Sequence, residues 1–240
     1  MQRITASIWQ ALSQALDVRA VYLNDICKQL GLSLQGQRYL DIGAGALVNS
    51  LVFGKDYDLT YCIDLKVPKK DAPCHANLVF ALGDAQALPF KDAAFDLVSL
   101  FSVIEHVEDQ EQAIWEAFRV LKLGGTLVVQ IPNRRFPVEL HSGLPSPLLP
   151  AFVRRPLLRA FGYSWLDDIE IPSRKRMLRL IDSSHTSASI NEAKVIWPSA
   201  VIPKIFRGPY KVLARLGVLR LLPLGYVFIC EKRHTQEVRK

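Results

Sequence analysis

The sequence predicts an α/β fold in which one doubly wound, mostly parallel, Rossmann-like sheet is flanked by helices. From Arg38 onward, short apolar runs alternate with turns and helical stretches, a rhythm typical of parallel sheets. The first run ends in an acidic residue and two closely spaced glycines, a turn that doubly wound sheets use at a ligand crevice. We expect strands near 38–42, 59–63, 78–82, 95–101 and 126–131, and helices near 47–54 and 110–121.

The segments on either side of this core predict a single domain with an inserted lid. At 240 residues, 50% of them hydrophobic, the chain can bury the core of one ordinary domain. Residues 132–176 contain seven prolines and no clear element, and such long stretches are commonly functional. We therefore expect leading helices in 1–36, the core in 37–133, a Pro-rich lid in 134–187, and a strand, a helix and a strand in 188–240.

The charge of the chain is divided unevenly between its halves. Residues 1–133 carry 11 Lys and Arg against 15 Asp and Glu, whereas residues 134–240 carry 19 against 8, so the net charge of +7 comes from the second half. This balance indicates an anionic ligand, an anionic membrane surface, nucleic acid, or only a solubilising surface. The four cysteines stand singly, and the first 16 residues form an amphipathic pattern rather than a signal peptide, which together favour the cytoplasm.

Acidic residues at three predicted strand ends point to one binding crevice. Asp41 precedes Gly43 and Gly45, whose missing side chains let the backbone turn tightly and approach a ligand. Asp64 ends the second strand, where nucleotide-binding folds place a carboxylate that accepts from ribose hydroxyls, and Asp84 follows the third strand in the same way. Each alone could be a helix cap or a turn former. Because the carboxyl ends of parallel strands share one edge, we expect the three to converge there.

These residues carry a resemblance to the class I S-adenosylmethionine (SAM)-dependent methyltransferases, especially the branch that includes quinone-biosynthesis methyltransferases. The resemblance covers residues 36–133 and includes, besides the three acids and the glycines, Gly83-Asp84-Ala85 and the runs 95–107 and 121–127. It implies a site for SAM in which Asp41, Gly43 and Gly45 line the methionine end, Asp64 holds the ribose, and Asp84 with Ala85 contacts the adenine. Leu65 and Ser102 complete the predicted cofactor contacts.

The first turn also bears on which cofactor is bound. The family usually has a third glycine where this chain has Leu47, and the loop tolerates this bulk because SAM has no pyrophosphate. An NAD-dependent oxidoreductase would need Gly or Ala at Val48, and the anionic pyrophosphate would disfavour Asp41 just before the turn. The motif therefore favours SAM over a dinucleotide.

Methyl transfer from a sulfonium depends on alignment, and a base helps only where the acceptor loses a proton. His106 and His141 are the candidate catalytic bases, because imidazole titrates near neutral pH. The pair Glu105-His106 either structures the turn after the fourth strand or resembles the metal site of RNA-end and quinone O-methyltransferases, with Glu139 or His141 as further ligands. Those enzymes carry another acid where this chain has Ser102, so we predict no metal.

We expect methyl transfer from SAM to a small-molecule or glycoconjugate acceptor, anionic ones included, at a hydroxyl oxygen. Residues 131–141 resemble lid segments of bacterial methyltransferases, some of which are associated with sugar or polysaccharide modification. One alternative is an RNA methyltransferase using the basic second half, which is disfavoured because the basic residues alternate with leucines instead of clustering. Another is a non-catalytic SAM-binding or membrane-surface adaptor, in which residues 200–222 meet an anionic interface; a buried amphipathic helix explains their composition equally.

Overall fold

The computed structural model describes residues 36–45, 47–68, 76–136, 149–160, 162, 169–184, 188–195, 212, 215–216 and 223–233. The leading helices expected in 1–36, and nearly all of the interfacial segment 200–222, lie outside the described residues. The fold below is therefore that of the sheet and the helices attached to it.

Seven strands form one sheet in the order β3-β2-β1-β4-β5-β7-β6. Neighbouring strands among β1 to β5 are parallel, whereas β7 runs antiparallel to both β5 and β6. The prediction of a doubly wound, mostly parallel sheet is therefore confirmed. The strands are β1 (Gly36–Ile42), β2 (Tyr57–Asp64), β3 (Leu78–Leu82), β4 (Phe95–Phe101), β5 (Leu121–Pro132), β6 (Ala188–Val195) and β7 (Gly225–Lys232).

Within the described residues, four α-helices connect or flank these strands: α1 (Val48–Phe53), α2 (Gln110–Val120), α3 (Ala151–Ala160) and α4 (Arg174–Ser183). Short 3-10 turns occupy Gly54–Asp56 and Ile104–His106. The Asp109 side chain caps α2 by accepting from the Gln112 N–H at 3.0 Å. None of the described helices is long and apolar enough to cross a membrane.

The sheet is buried on both faces, which explains why its central strands are almost wholly apolar. One face packs against α2 and α4 through Ile104, Ile114, Met177 and Ile181, among others. A second cluster, formed by residues such as Tyr39, Phe53, Phe101 and Val227, is also buried. Because both faces are covered, a ligand can reach the sheet at the edge where its parallel strands end.

The structure differs from the sequence-based expectation in two places. Strand β5 begins at Leu121 instead of near 126, because a shift of register between Phe95 and Leu97 accommodates the extra residues around Gly124. The Pro-rich segment contains helix α3, with Pro156 inside it, and the first residues of helix α4. The expectation of no element there was wrong for these residues. A proline inside a helix removes one backbone hydrogen bond, and this helix continues past it. Whether the segment acts as a lid stays a prediction.

Candidate functional site

The carboxyl ends of β1, β2, β3 and β4 bring the predicted residues to one edge of the sheet. Strand register sets Ile42 beside Ile63 and Leu100, and Asp64 beside Leu82. The loop after β1 then turns over the end of β2, where the Gly43 and Ala44 N–H groups donate to the Ile63 carbonyl at 2.8 and 3.1 Å. This is the edge at which open α/β sheets bind their ligands.

The turn after β1 has a backbone that its glycines make possible. Gly43 and Gly45 have φ angles of +68° and +49°. A Cβ atom on Gly43 would lie 2.3 Å from a methyl carbon of Val103, so this glycine also lets the turn pack against the segment after β4. At Gly45 a Cβ would meet nothing closer than the Gly43 carbonyl oxygen at 3.9 Å, so the space beside it is open.

Asp64 is bound to this turn through its carboxylate. One oxygen accepts from the Gly45 N–H at 2.9 Å, and the other accepts from the Lys66 N–H at 3.0 Å. The side chain is only partly buried, and each carboxylate oxygen has a second lone pair for another donor. The next residue, Leu65, is 72% exposed and presents an apolar surface beside this carboxylate.

Leu47 occupies the position of the family's third glycine and adopts the conformation that a glycine would favour. Its φ of 63° and ψ of 14° are left-handed, and it directly precedes helix α1. The side chain is nonetheless buried, in a cluster that includes Ala44 and Cys62. Burial of the leucine therefore offsets a backbone strain of about 1–2 kcal/mol.

Asp41 is fully buried beneath the turn instead of facing the open space. Its two carboxylate oxygens accept from the Ser99 hydroxyl at 2.8 Å and the Ser50 hydroxyl at 2.5 Å. The Tyr39 hydroxyl and the Cys62 thiol extend this network, and burial raises the pKa of both, that of Cys62 to about 12. The network joins β1, β2, β4 and α1 under the glycine turn, while a direct contact of Asp41 with the cofactor stays a prediction.

Asp84 lies at the end of β3 in a small polar cluster. Its carboxylate accepts from the Gln86 backbone N–H at 2.9 Å and from the Gln86 side-chain amide at 3.1 and 3.2 Å. The side-chain amide oxygen of Gln86 in turn accepts from the Asp109 N–H at the start of α2. Ala85 is buried beside Asp84. The sequence did not single out Gln86, which connects the predicted adenine acceptor to α2.

The segment after β4 holds the remaining candidates. Ser102 has a φ of +55° and is bound to β5, since its hydroxyl donates to the Gln130 side chain at 2.8 Å and its N–H to the Gln130 carbonyl at 3.1 Å. His106 is exposed at the end of the following 3-10 turn. His141 lies outside the described residues. Catalytic roles for His106 and His141 stay predictions.

Glu105 is the most unusual ionisable residue of this edge. It is 1% exposed, and within the described part of the chain neither of its carboxylate oxygens has a hydrogen-bond partner. Burial raises its pKa from 4.5 to about 7. The described residues contain no group of three or more His, Cys, Asp or Glu side chains that could hold a metal ion. The sequence predicted Glu105 only as a turn residue or a metal ligand. Its burial could not be predicted, because the motif does not show which side chains the fold covers.

Comparisons with known proteins agree with this geometry. Residues 40–129 match the methyltransferase domain family. A solved SAM-dependent methyltransferase of Mesorhizobium loti superposes with a TM-score of 0.63 at 15% identity, covering 91% of this chain and all of that one, so the two share a fold. The fold is that of the class I, Rossmann-like methyltransferases.

Sequence relatives identify the family. A Mycolicibacterium smegmatis protein named a "probable S-adenosylmethionine-dependent methyltransferase" is 32% identical over 187 residues, which cover 71% of this chain and 68% of the relative. The demethylmenaquinone methyltransferase of Streptomyces avermitilis is 37% identical over 101 residues, only 41% of its own length. The chain belongs to the SAM-dependent methyltransferases, and SAM is its cofactor.

Proposed function

We propose that the enzyme transfers the methyl group of SAM to a hydroxyl oxygen of a small-molecule or glycoconjugate acceptor, and that the edge described above is the cofactor site. The observation that carries the cofactor assignment is the arrangement of Asp64 and Asp84 beside the turn at Gly45. Two partly buried carboxylates at adjacent strand ends, next to an open glycine turn, match a ligand that has ribose hydroxyls and an exocyclic amine.

Each residue of the site has a distinct part in this proposal. The second lone pairs of the Asp64 carboxylate would accept from the ribose hydroxyls, and Asp84 would accept from the adenine amine after its contact with Gln86 rearranges. Leu65 and Ala85 would contact the adenine ring. The turn at Gly43 and Gly45 would face the methionine end, supported from beneath by the Asp41 network, while Ser102 orders the segment after β4.

The acceptor would enter beside the ends of β4 and β5, where the chain continues into the Pro-rich segment. Helices α3 and α4 belong to the basic second half, and α4 exposes Lys175 and Arg179 to solvent. Positive charge near the entry favours acceptors with a phosphate or a carboxylate. The shorter match to demethylmenaquinone methyltransferases does not carry their acceptor to this chain, because it covers 39% of the chain.

The acceptor class can be tested with SAM labelled in its methyl group. The purified protein is incubated with the small-molecule, glycoconjugate and RNA fractions of a bacterial extract, and methylated products are analysed by mass spectrometry and NMR. We expect label in the first or second fraction, as an O-methyl group. Label confined to RNA, or found on carbon or nitrogen, would contradict the proposed acceptor. Failure to bind SAM would contradict the cofactor site itself.

A further inference from the structure

Three buried hydrogen-bond acceptors lie close to the end of β4 with no donor among the described residues. Two are the carboxylate oxygens of Glu105, and the third is the side-chain carbonyl oxygen of Gln110. Both residues are almost fully buried, at 1% and 3% exposure. Buried polar atoms in native proteins nearly always have partners, and the single O–H that Glu105 carries when protonated cannot serve all three acceptors, which leaves room for a donor from a ligand.

The orientation of Gln110 is fixed by its other contacts. Its amide nitrogen donates to the carbonyl of Ile104 at 3.1 Å and to the carbonyl of Glu170 at 2.8 Å. Because both partners are carbonyls, the nitrogen must stay on their side, and the amide oxygen cannot exchange places with it. Gln110 therefore cannot donate to the neighbouring Glu105 and adds a further acceptor instead.

Residues 169–172, which we call the strap, lie against this turn. The Glu170 N–H donates to the Glu105 backbone carbonyl at 3.0 Å, and the Glu170 carbonyl accepts from Gln110. The strap comes at the end of the Pro-rich segment and leads into α4. Two hydrogen bonds of the Glu170 backbone and an ion pair between the Glu170 and Arg176 side chains hold the strap, so a local opening could admit a ligand without unfolding the sheet.

Charged side chains on these elements leave Glu105 without a close counter-ion. Glu170 of the strap forms an ion pair with Arg176 of α4. His106 and Glu108, on the same segment as Glu105, are exposed. Among the described residues, no cation lies close to the Glu105 carboxyl, and its own backbone N–H acts on it without forming a full hydrogen bond.

We propose that Glu105 and Gln110 form the polar end of the acceptor pocket, where they receive the O–H group of the acceptor, and that the Glu105 carboxylate takes the proton as the methyl group is transferred. This inference rests on the proposed methyl transfer to a hydroxyl oxygen and assigns the group that removes the hydroxyl proton. It also moves the basic role from the exposed His106 to its buried neighbour.

The proposed step balances in atoms and electrons. A lone pair of the acceptor oxygen forms the new bond to the methyl carbon. The carbon–sulfur bond of the sulfonium breaks, and its electron pair stays on sulfur. The O–H bond then gives its proton to the Glu105 carboxylate, which becomes the neutral acid, while the electron pair of that bond remains on the acceptor oxygen.

The first test compares E105Q with E108Q, which changes an exposed glutamate three residues further along. With labelled SAM and the methylated fraction of the extract as the probe, E105Q should be slower by about a hundredfold to ten-thousandfold, with unchanged SAM affinity. The wild-type rate should rise with pH with a midpoint near 7, the pKa of Glu105, and that rise should be absent from the residual E105Q activity. E108Q should behave like the wild type.

A second test needs no acceptor. Dicyclohexylcarbodiimide reacts with protonated carboxyls in apolar pockets that a small molecule can enter, and peptide mass spectrometry locates the product. At pH 6 we expect Glu105 to react and the modified protein to keep its SAM affinity.

Each of three results would overturn the proposal. The first is an E105Q variant as active as the wild type, the second is a separate H106Q variant that is inactive, and the third is a Glu105 that does not react with the carbodiimide. If SAM binds and methyl transfer persists in E105Q, only this inference fails. If SAM does not bind, the proposed function fails.

Discussion

Glu105 should make the stability of the fold depend on pH, and replacing it by Gln should remove that dependence. Burial raises the pKa of this carboxyl from 4.5 to about 7, so the folded protein holds the proton more tightly than the unfolded chain does. The stability that the neutral acid provides is fully present below pH 4.5 and is lost as the pH rises through 7. The difference between these pKa values corresponds to about 3 kcal/mol of unfolding free energy.

Urea unfolding between pH 5 and pH 8.5 measures this effect. The free energy of unfolding of E105Q should rise relative to that of the wild type by about 2.5 kcal/mol over that range, because Gln has nearly the same shape and does not titrate. E108Q is the matched control, since Glu108 is exposed and its removal should leave the wild-type profile unchanged. Parallel pH profiles for the wild type and E105Q would refute the assignment of a raised pKa to Glu105.

Three comparisons of variants test the support of the glycine turn by urea unfolding at pH 7. D41A leaves two buried serine hydroxyls without their acceptor and should cost about 3–5 kcal/mol, whereas S99A should cost about 1 kcal/mol; equal costs would contradict the central place of Asp41. L47G should be about 1 kcal/mol more stable than L47A, because only glycine relieves the positive φ; the reverse order would refute the strain. G43A should be less stable than the wild type, and adding V103A should restore part of the lost stability; no restoration would contradict the close contact between the turn and Val103.

The positions of most strands could be predicted from the sequence because each strand carries a local signal. Runs such as 95–101 are apolar and end in turn residues, and these patterns do not depend on distant contacts. Helix α3 could not be predicted, because prolines disfavour the interior of a helix and its segment contains several of them. The early start of β5 was missed because the bulge around Gly124 depends on pairing with β4, a tertiary contact.

Only the residues of the candidate site that lie at strand ends could be predicted from the sequence. Asp64 and Asp84 follow their strands directly, so the topology of the sheet brings them together. The direction of the Asp41 side chain could not be predicted, since it depends on two serines contributed by other elements. Ser99 carried a signal, because a hydroxyl within the buried strand β4 needs a partner. Gln110 carried none, because its contacts come from the distant strap.

The SAM affinity of D64A tests the central claim most directly. Removing this carboxylate should weaken binding of SAM and of S-adenosylhomocysteine by about tenfold to a hundredfold in isothermal titration calorimetry, which corresponds to about 1.5–3 kcal/mol. D58N is the matched control, because Asp58 is exposed near the other end of the same strand. We expect D58N to bind as the wild type does and D64A to bind weakly while keeping its fold. Wild-type affinity in D64A would contradict the placement of the cofactor at this edge of the sheet.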